Sequence, residues 1–189
     1  MDKARRLPLR IRLIQWSARH VDRPWLPPVV AGFPAADFFV PVMPNQLLLT
    51  GLSALAPHRW PIFALAFAAG TASGGMVMAY AVQFVDVAPA GLAGTDEAAD
   101  AVAEITRYLR LHGLWYLAAI ALLPWTPRLT VVACAVVGIH PLAILVTLFF
   151  ARLVPSAALG MSGAFGLQLA MRSVLLQRLS VRLRELLRA

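Results

Sequence analysis

The segment Pro41-Val42-Met43-Pro44-Asn45, PVMPN, breaks an apolar run that would otherwise read as a membrane-crossing helix. Each proline removes a backbone N–H donor and crowds the preceding turn, so a helix cannot continue through the pair. A carboxamide follows directly. The segment PWTPR, Pro124 to Arg128, interrupts a second apolar run in the same manner, with an arginine in place of the carboxamide. Whether these breaks lie in water or at membrane depth decides the fold.

The surrounding composition favours membrane depth. Hydrophobic residues make up 60% of the 189-residue chain and charged residues 14%, and the mean hydropathy is +0.72. A soluble domain would be roughly 45–50% apolar and about 25% charged. The net charge of +8 is gathered at the ends, in Lys3, Arg5, Arg6, Arg10, Arg12, Arg19 and Arg23 and again in Arg172, Arg178, Arg182, Arg184 and Arg188. Basic ends on a hydrophobic chain mark the cytoplasmic face and favour anionic lipid headgroups as neighbours. The same charge beside segments that cannot remain in water argues against nucleic acid as a partner. Cys134 is the only cysteine and lies in an apolar run, so an intramolecular disulfide is excluded.

Residue counts then fix the geometry. The stretch from Gln46 to Leu55 would make only about 15 Å of helix, half of a hydrocarbon core of about 30 Å. It reaches the midplane and returns, so PVMPN is expected at the tip of a re-entrant hairpin. Residues 24–40 form the inward arm and 46–57 the return. The run from Pro61 to Val85 is long enough to span. Residues 86–112, with Asp86, Asp96, Glu97, Asp100 and Glu104, are expected as an acidic external loop. Residues 114–139 make a second hairpin entered from the opposite face, and Leu142 to about Leu169 spans back.

The expected fold class is therefore an all-α integral membrane protein with an inverted repeat of two re-entrant hairpins, each followed by a transmembrane helix. Amphipathic interfacial helices lie at both ends. The domains are a basic N-terminal segment, 1–23, a membrane domain, 24–169, with repeats at 24–85 and 113–169, and a basic C-terminal helix, 170–189. In that helix Leu175, Leu176, Leu179, Leu183, Leu186 and Leu187 form one stripe; a partner-binding or coiled tail is the alternative. Both termini are placed in the cytoplasm, in a bacterial-type inner membrane.

Few residues can carry chemistry at depth. Arg128 stands beside the second break, where a cation costs about 2.5–3.5 kcal/mol on insertion scales and needs a partner. It either binds a phosphate or carboxylate, or is structural, paired to Asp37 or capping helix carbonyls. Arg152 in LFFARLVP is a second buried cation or else snorkels to a headgroup. Asp37 is the carboxylate deepest in an apolar run and serves either proton exchange or a salt bridge between repeats. Asn45 supplies a polar group at the first tip, and Pro41, Pro44, Pro124 and Pro127 mark the two tips. Gly70, Gly74, Gly160 and Gly163 are read as helix-packing positions. His58 and His140 lack a second ligand one helical turn away, so no metal is expected, and no catalytic or cofactor motif is present.

The segments DFFVPVMPNQLLLTGLSAL, GTASGGMVMAY, LLPWTPRLTVVACAVVG and FFAR resemble the DedA superfamily of VTT-domain, or SNARE-associated, membrane proteins, closest to its small YqaA-like branch. The resemblance covers roughly residues 33–165. It implies two re-entrant hairpins packed with transmembrane helices and translocation of phospholipid or polyprenyl phosphate, in some members linked to protons. It also implies transport roles for Asp37, Arg128 and Arg152. Asn45 stands where the family has an acidic residue, which puts proton coupling in question. The resulting expectation is a non-enzymatic transport protein for a lipid or other amphiphilic anion. Its partners are membrane lipids and, in a coupled mechanism, protons, and a homo-oligomer is compatible with this reading. A non-transporting scaffold and a small-molecule exporter are the alternatives.

Overall fold

A computed structural model describes residues 21–40, 45–84, 96–123 and 125–186, with side chains for all of these except 96–99 and 167–186. The described residues are helical, with no strand. Four short helices surround two long ones. The short helices are α1 (Leu26–Ala36), α2 (Asn45–Leu55), α5 (Leu114–Ala121) and α6 (Arg128–Val136), and the long ones are α3 (Trp60–Phe84) and α7 (Pro141–Leu186). A further helix, α4 (Asp96–His112), lies between α3 and α5 in the chain, and a 3₁₀ turn, Pro57–Arg59, leads into α3.

The helix boundaries follow from local chemistry. Prolines stand in the first turn of α1, where the missing N–H would have had no intrahelical partner. Helix α6 ends in a Schellman arrangement: Gly138 has φ +83°, its N–H bonds to Ala135 O, and the Ile139 N–H bonds to Cys134 O, each at 3.0 Å. That left-handed conformation favours glycine. Pro141 then opens α7. Gly113, with φ +61° and ψ −145°, a conformation open to glycine, separates α4 from α5.

Packing between elements is crossed. Helix α1 lies on α3 and α5 on α7, whereas α2 lies mainly on α7 and α6 mainly on α3 and α4. Each pair of short helices thus straddles the two long ones, and α3 and α7 pack extensively on one another. Close approach depends on small residues. A Cβ at Gly70 would strike the carbonyl oxygen of Ala31, one at Gly74 would lie 2.7 Å from Ala35 Cα, and one at Gly163 would strike the carbonyl of Thr50. Gly160 faces the Trp60 ring. One apolar core holds Phe38, Met78, Leu117, Val131, Ile144 and Leu148. A second holds Val30, Leu49, Leu52, Phe63 and Phe67.

Two helical stretches, Pro57–Phe84 and Pro141–Gly166, are long and apolar enough to cross a membrane. The first is mostly enclosed by its neighbours, 61% buried against 28% for the second, so α3 is the central helix. Large apolar side chains remain on the outside, among them Ile62, Leu65 and Val77 on α3 and Val146, Phe150 and Val154 on α7. The last three recur every fourth residue and form one stripe.

Two expected boundaries are corrected. Residues 96–112 are not loop: Val102 and Leu109 are buried and Ile105 is half-buried against the core, and this stripe packs α4 on α6. No glycine or proline occurs between Asp96 and His112 to stop the helix. The C-terminal helix is also not separate at 170, because α7 runs unbroken for 46 residues. Nothing beyond Gly166 breaks it, and the chain continues about 30 Å past the apolar stretch. The N-terminal segment up to residue 20 lies outside the described residues.

Candidate functional site

Where α1 ends and α6 begins, the two halves of the chain are tied together. Asp37 follows the last turn of α1 and is buried. Its carbonyl oxygen accepts from Arg128 Nε at 3.1 Å and from Arg128 Nη2, while its carboxylate accepts from the Thr126 hydroxyl. A guanidinium at the C-terminal end of a helix satisfies a carbonyl with no intrahelical partner and meets the negative end of the dipole. Arg128 therefore bonds the main chain of Asp37, not its carboxylate, which is the capping role among those open to it. The tie spans the two breaks.

Arg152 does the same for the second break. Its Nη1 donates to Leu123 O at 2.9 Å and its Nη2 to Trp125 O, the carbonyls on either side of position 124. Pro155, one turn further along α7, cannot donate to the carbonyl of Ala151. Arg152 is 8% exposed, and its Nε has no hydrogen-bond partner. No direct ion pair joins it to Asp37. Among the described residues a histidine–carboxylate contact joins His58 Nε2 to Asp22 Oδ1, at 3.2 Å near the start of α3.

A cavity of about 50 Å³ opens between these ties. Asn45 and Gln46 from α2, Thr71 from α3, Thr126 from the second break and Arg152 and Ser156 from α7 supply its polar lining. Pro34, Leu49, Phe67 and Leu159 supply apolar walls. Asn45 Oδ1 is buried there without a hydrogen-bond partner. Such a group carries a desolvation cost of about 1–3 kcal/mol unless something polar meets it.

Of the four residues singled out in the sequence, Asn45 and Arg152 line the cavity, Asp37 reaches it through Thr126, and Arg128 stands behind Asp37. Pro127 immediately precedes α6; Pro41, Pro44 and Pro124 lie outside the described residues. Gly70, Gly74, Gly160 and Gly163 stand at helix contacts and are not among its lining residues. Thr71, Thr126 and Ser156 are additional polar residues that no sequence pattern selected. Thr126 does lie inside PWTPR, and the only available signal was a hydroxyl between two prolines. Gln83, also not selected, closes the far end of α6 by donating to Ala135 O at 3.1 Å and Ile139 O at 2.8 Å. Among the described residues no three His, Cys, Asp or Glu side chains are gathered as a metal site. No protein-family model, curated protein or solved structure matches the chain.

Proposed function

We propose that this protein is embedded in a bacterial-type cytoplasmic membrane and moves the headgroup of a lipid or similar amphiphilic anion between leaflets. In this reading α1–α2 and α5–α6 are re-entrant hairpins of an inverted repeat, as in the DedA superfamily that the sequence resembles, and α3 and α7 are the spans. The crossed packing supports it, since each return arm rests on the other repeat's long helix. The arms also support it: none exceeds 11 residues, about 16 Å, so none can cross alone.

One observation carries the functional part. A cavity with a polar lining that includes the Arg152 guanidinium lies inside a helical body that carries many large apolar side chains on its outside. Irregular backbone at membrane depth is tolerated where it is buried in protein or lines a wet cavity, and broken helices gathered at the midplane are where transporters bind their cargo. A headgroup passing through the cavity exchanges water for hydrogen bonds while its tails stay in lipid, which avoids the desolvation of a bare anion.

The test is leaflet exchange in liposomes holding only purified protein and a tail-labelled anionic phospholipid, with outer-leaflet label chemically quenched. The reading predicts quenching beyond the outer-leaflet half, reduced by Asn45→Leu, which fills the cavity. A protein-free rate for folded wild type contradicts it. The second reading, a non-transporting scaffold, draws on the engagement of both arginines with backbone carbonyls; it predicts that protein-free rate. Export of a soluble molecule without lipid movement would mark the third.

A further inference from the structure

We infer that the cavity selects an anionic phosphate whose headgroup also carries hydroxyl hydrogens, of the glycerol or other polyol kind, over a phosphodiester without donors and over a quaternary ammonium headgroup. This rests on the proposed lipid movement and concerns which lipid moves.

The hydrogen-bond inventory of the lining leads there. Thr126 spends its single hydroxyl hydrogen on the Asp37 carboxylate, and Thr71 spends its own on Phe67 O at 2.9 Å. Both oxygens are left able only to accept. Arg152 offers the opposite: its guanidinium lines the cavity and carries donor hydrogens with no lone pair to accept. Asn45 presents one donor and one acceptor group whichever way its amide is turned. Ser156, 8% exposed, has a hydroxyl that can do either. The site is therefore mixed, with a fixed cationic donor and at least two fixed acceptors.

Candidate ligands sort against that inventory. A phosphodiester with no hydroxyl satisfies Arg152 but gives Thr71 and Thr126 nothing to accept. A quaternary ammonium has no donor hydrogen and would face the Arg152 cation. Its usual receptor is a cage of aromatic faces, whereas Phe67 is the one aromatic among the described lining residues and no carboxylate lines the cavity. A phosphate joined to a polyol satisfies both kinds of group, with its oxygens on Arg152 and its hydroxyls on the threonines. Size agrees, because about 50 Å³ holds a few water-sized groups at roughly 10–15 Å³ each. That admits the phosphate oxygens and the nearest hydroxyl together, with the rest of the headgroup and the tails outside.

The experiment compares tail-labelled phosphatidylglycerol, phosphatidylmethanol and phosphatidylcholine in the same proteoliposomes. The first two share charge and linkage and differ in the hydroxyls. Phosphatidylglycerol should exchange about five- to tenfold faster than phosphatidylmethanol, the yield of one added hydrogen bond, with phosphatidylcholine slowest. Thr126→Val and Thr71→Val should each lower the glycerol-to-methanol ratio, a quantity insensitive to how much protein is folded. Equal rates for the two anionic lipids, or fastest movement of phosphatidylcholine, overturn the inference and leave lipid movement standing. Exchange of none of the three removes the lipid reading beneath it. Release of entrapped glycerol phosphate with static lipids overturns both by assigning the site to a soluble ester.

Discussion

Substituting Gly70 by alanine tests the packing that positions the first break. The new Cβ would fall on the Ala31 carbonyl oxygen and 2.8 Å from Pro34 Cγ. Ordinary carbon contacts lie at about 3.5–4.0 Å, so α1 must retreat from α3 by roughly 1 Å. The obstacle is backbone and a proline ring, neither of which can rotate away. Overpacking of this kind typically costs about 1–3 kcal/mol, and the upper end applies here. Alanine returns up to about 1 kcal/mol of helix propensity, leaving a net loss of about 2 kcal/mol. For a chain of this size that is roughly 4–8 °C in melting temperature, measured by thermal unfolding in detergent with intrinsic fluorescence. Gly32 and Gly51 are the controls, because a Cβ at either meets nothing within 4 Å. Alanine there should stabilise by up to about 1 kcal/mol. The opposite signs are the prediction. If Gly70→Ala stabilises as much as Gly32→Ala, α1 does not lie on α3 as described.

Other consequences follow from single contacts. Asp37→Asn keeps an acceptor for the Thr126 hydroxyl and should change stability by less than about 1 kcal/mol, whereas Asp37→Leu strands that hydroxyl and should cost about 1–3 kcal/mol in the same melt; equal melting of the two variants removes the Asp37–Thr126 tie. Gln83→Leu releases two carbonyls at the end of α6 and should speed hydrogen exchange at Gly138 and Ile139, with little change in α2. Cys134, the only thiol and fully buried, should resist maleimide until the protein is denatured, and rapid labelling of the folded protein would contradict the packing of α6.

The two long apolar helices were legible because they depend on proline and on apolar length. Those features act locally, and α3 begins and ends within a residue or so of the apolar run from Pro61 to Val85. Helix α4 was obscured by its own charges: Asp96, Glu97, Asp100 and Glu104 dominate the reading, while the buried positions 102, 105 and 109 matter only when α6 lies beneath them. The continuity of α7 was hidden for a related reason, since the leucine stripe after Ser173 resembles an independent amphipathic helix and says nothing about the turn before it. For Arg128 the sequence offered Asp37 or a helix carbonyl as structural partners, and the contact made is to the Asp37 carbonyl; the partners of Arg152 could not be read. Arg128 meets a carbonyl far back in the chain, at Asp37, and Arg152 meets carbonyls at Leu123 and Trp125, contacts created only when α1, α5 and α7 converge. The cavity belongs to the same class, because Thr71, Thr126 and Ser156 carry no pattern until the fold brings them together.

The account depends on positions 45 and 126 sharing one cavity at membrane depth, shielded from bulk water on both faces. In a Cys134→Ala background, single cysteines at these two positions and at His58 can be spin-labelled in liposomes, and their accessibility to oxygen and to a water-soluble nickel chelate compared. Labels at 45 and 126 should show depth near the bilayer centre with weak chelate access, and the label at 58 should show interfacial depth with strong access. Chelate access at 45 and 126 equal to that at 58 would put both breaks in bulk water and contradict the account.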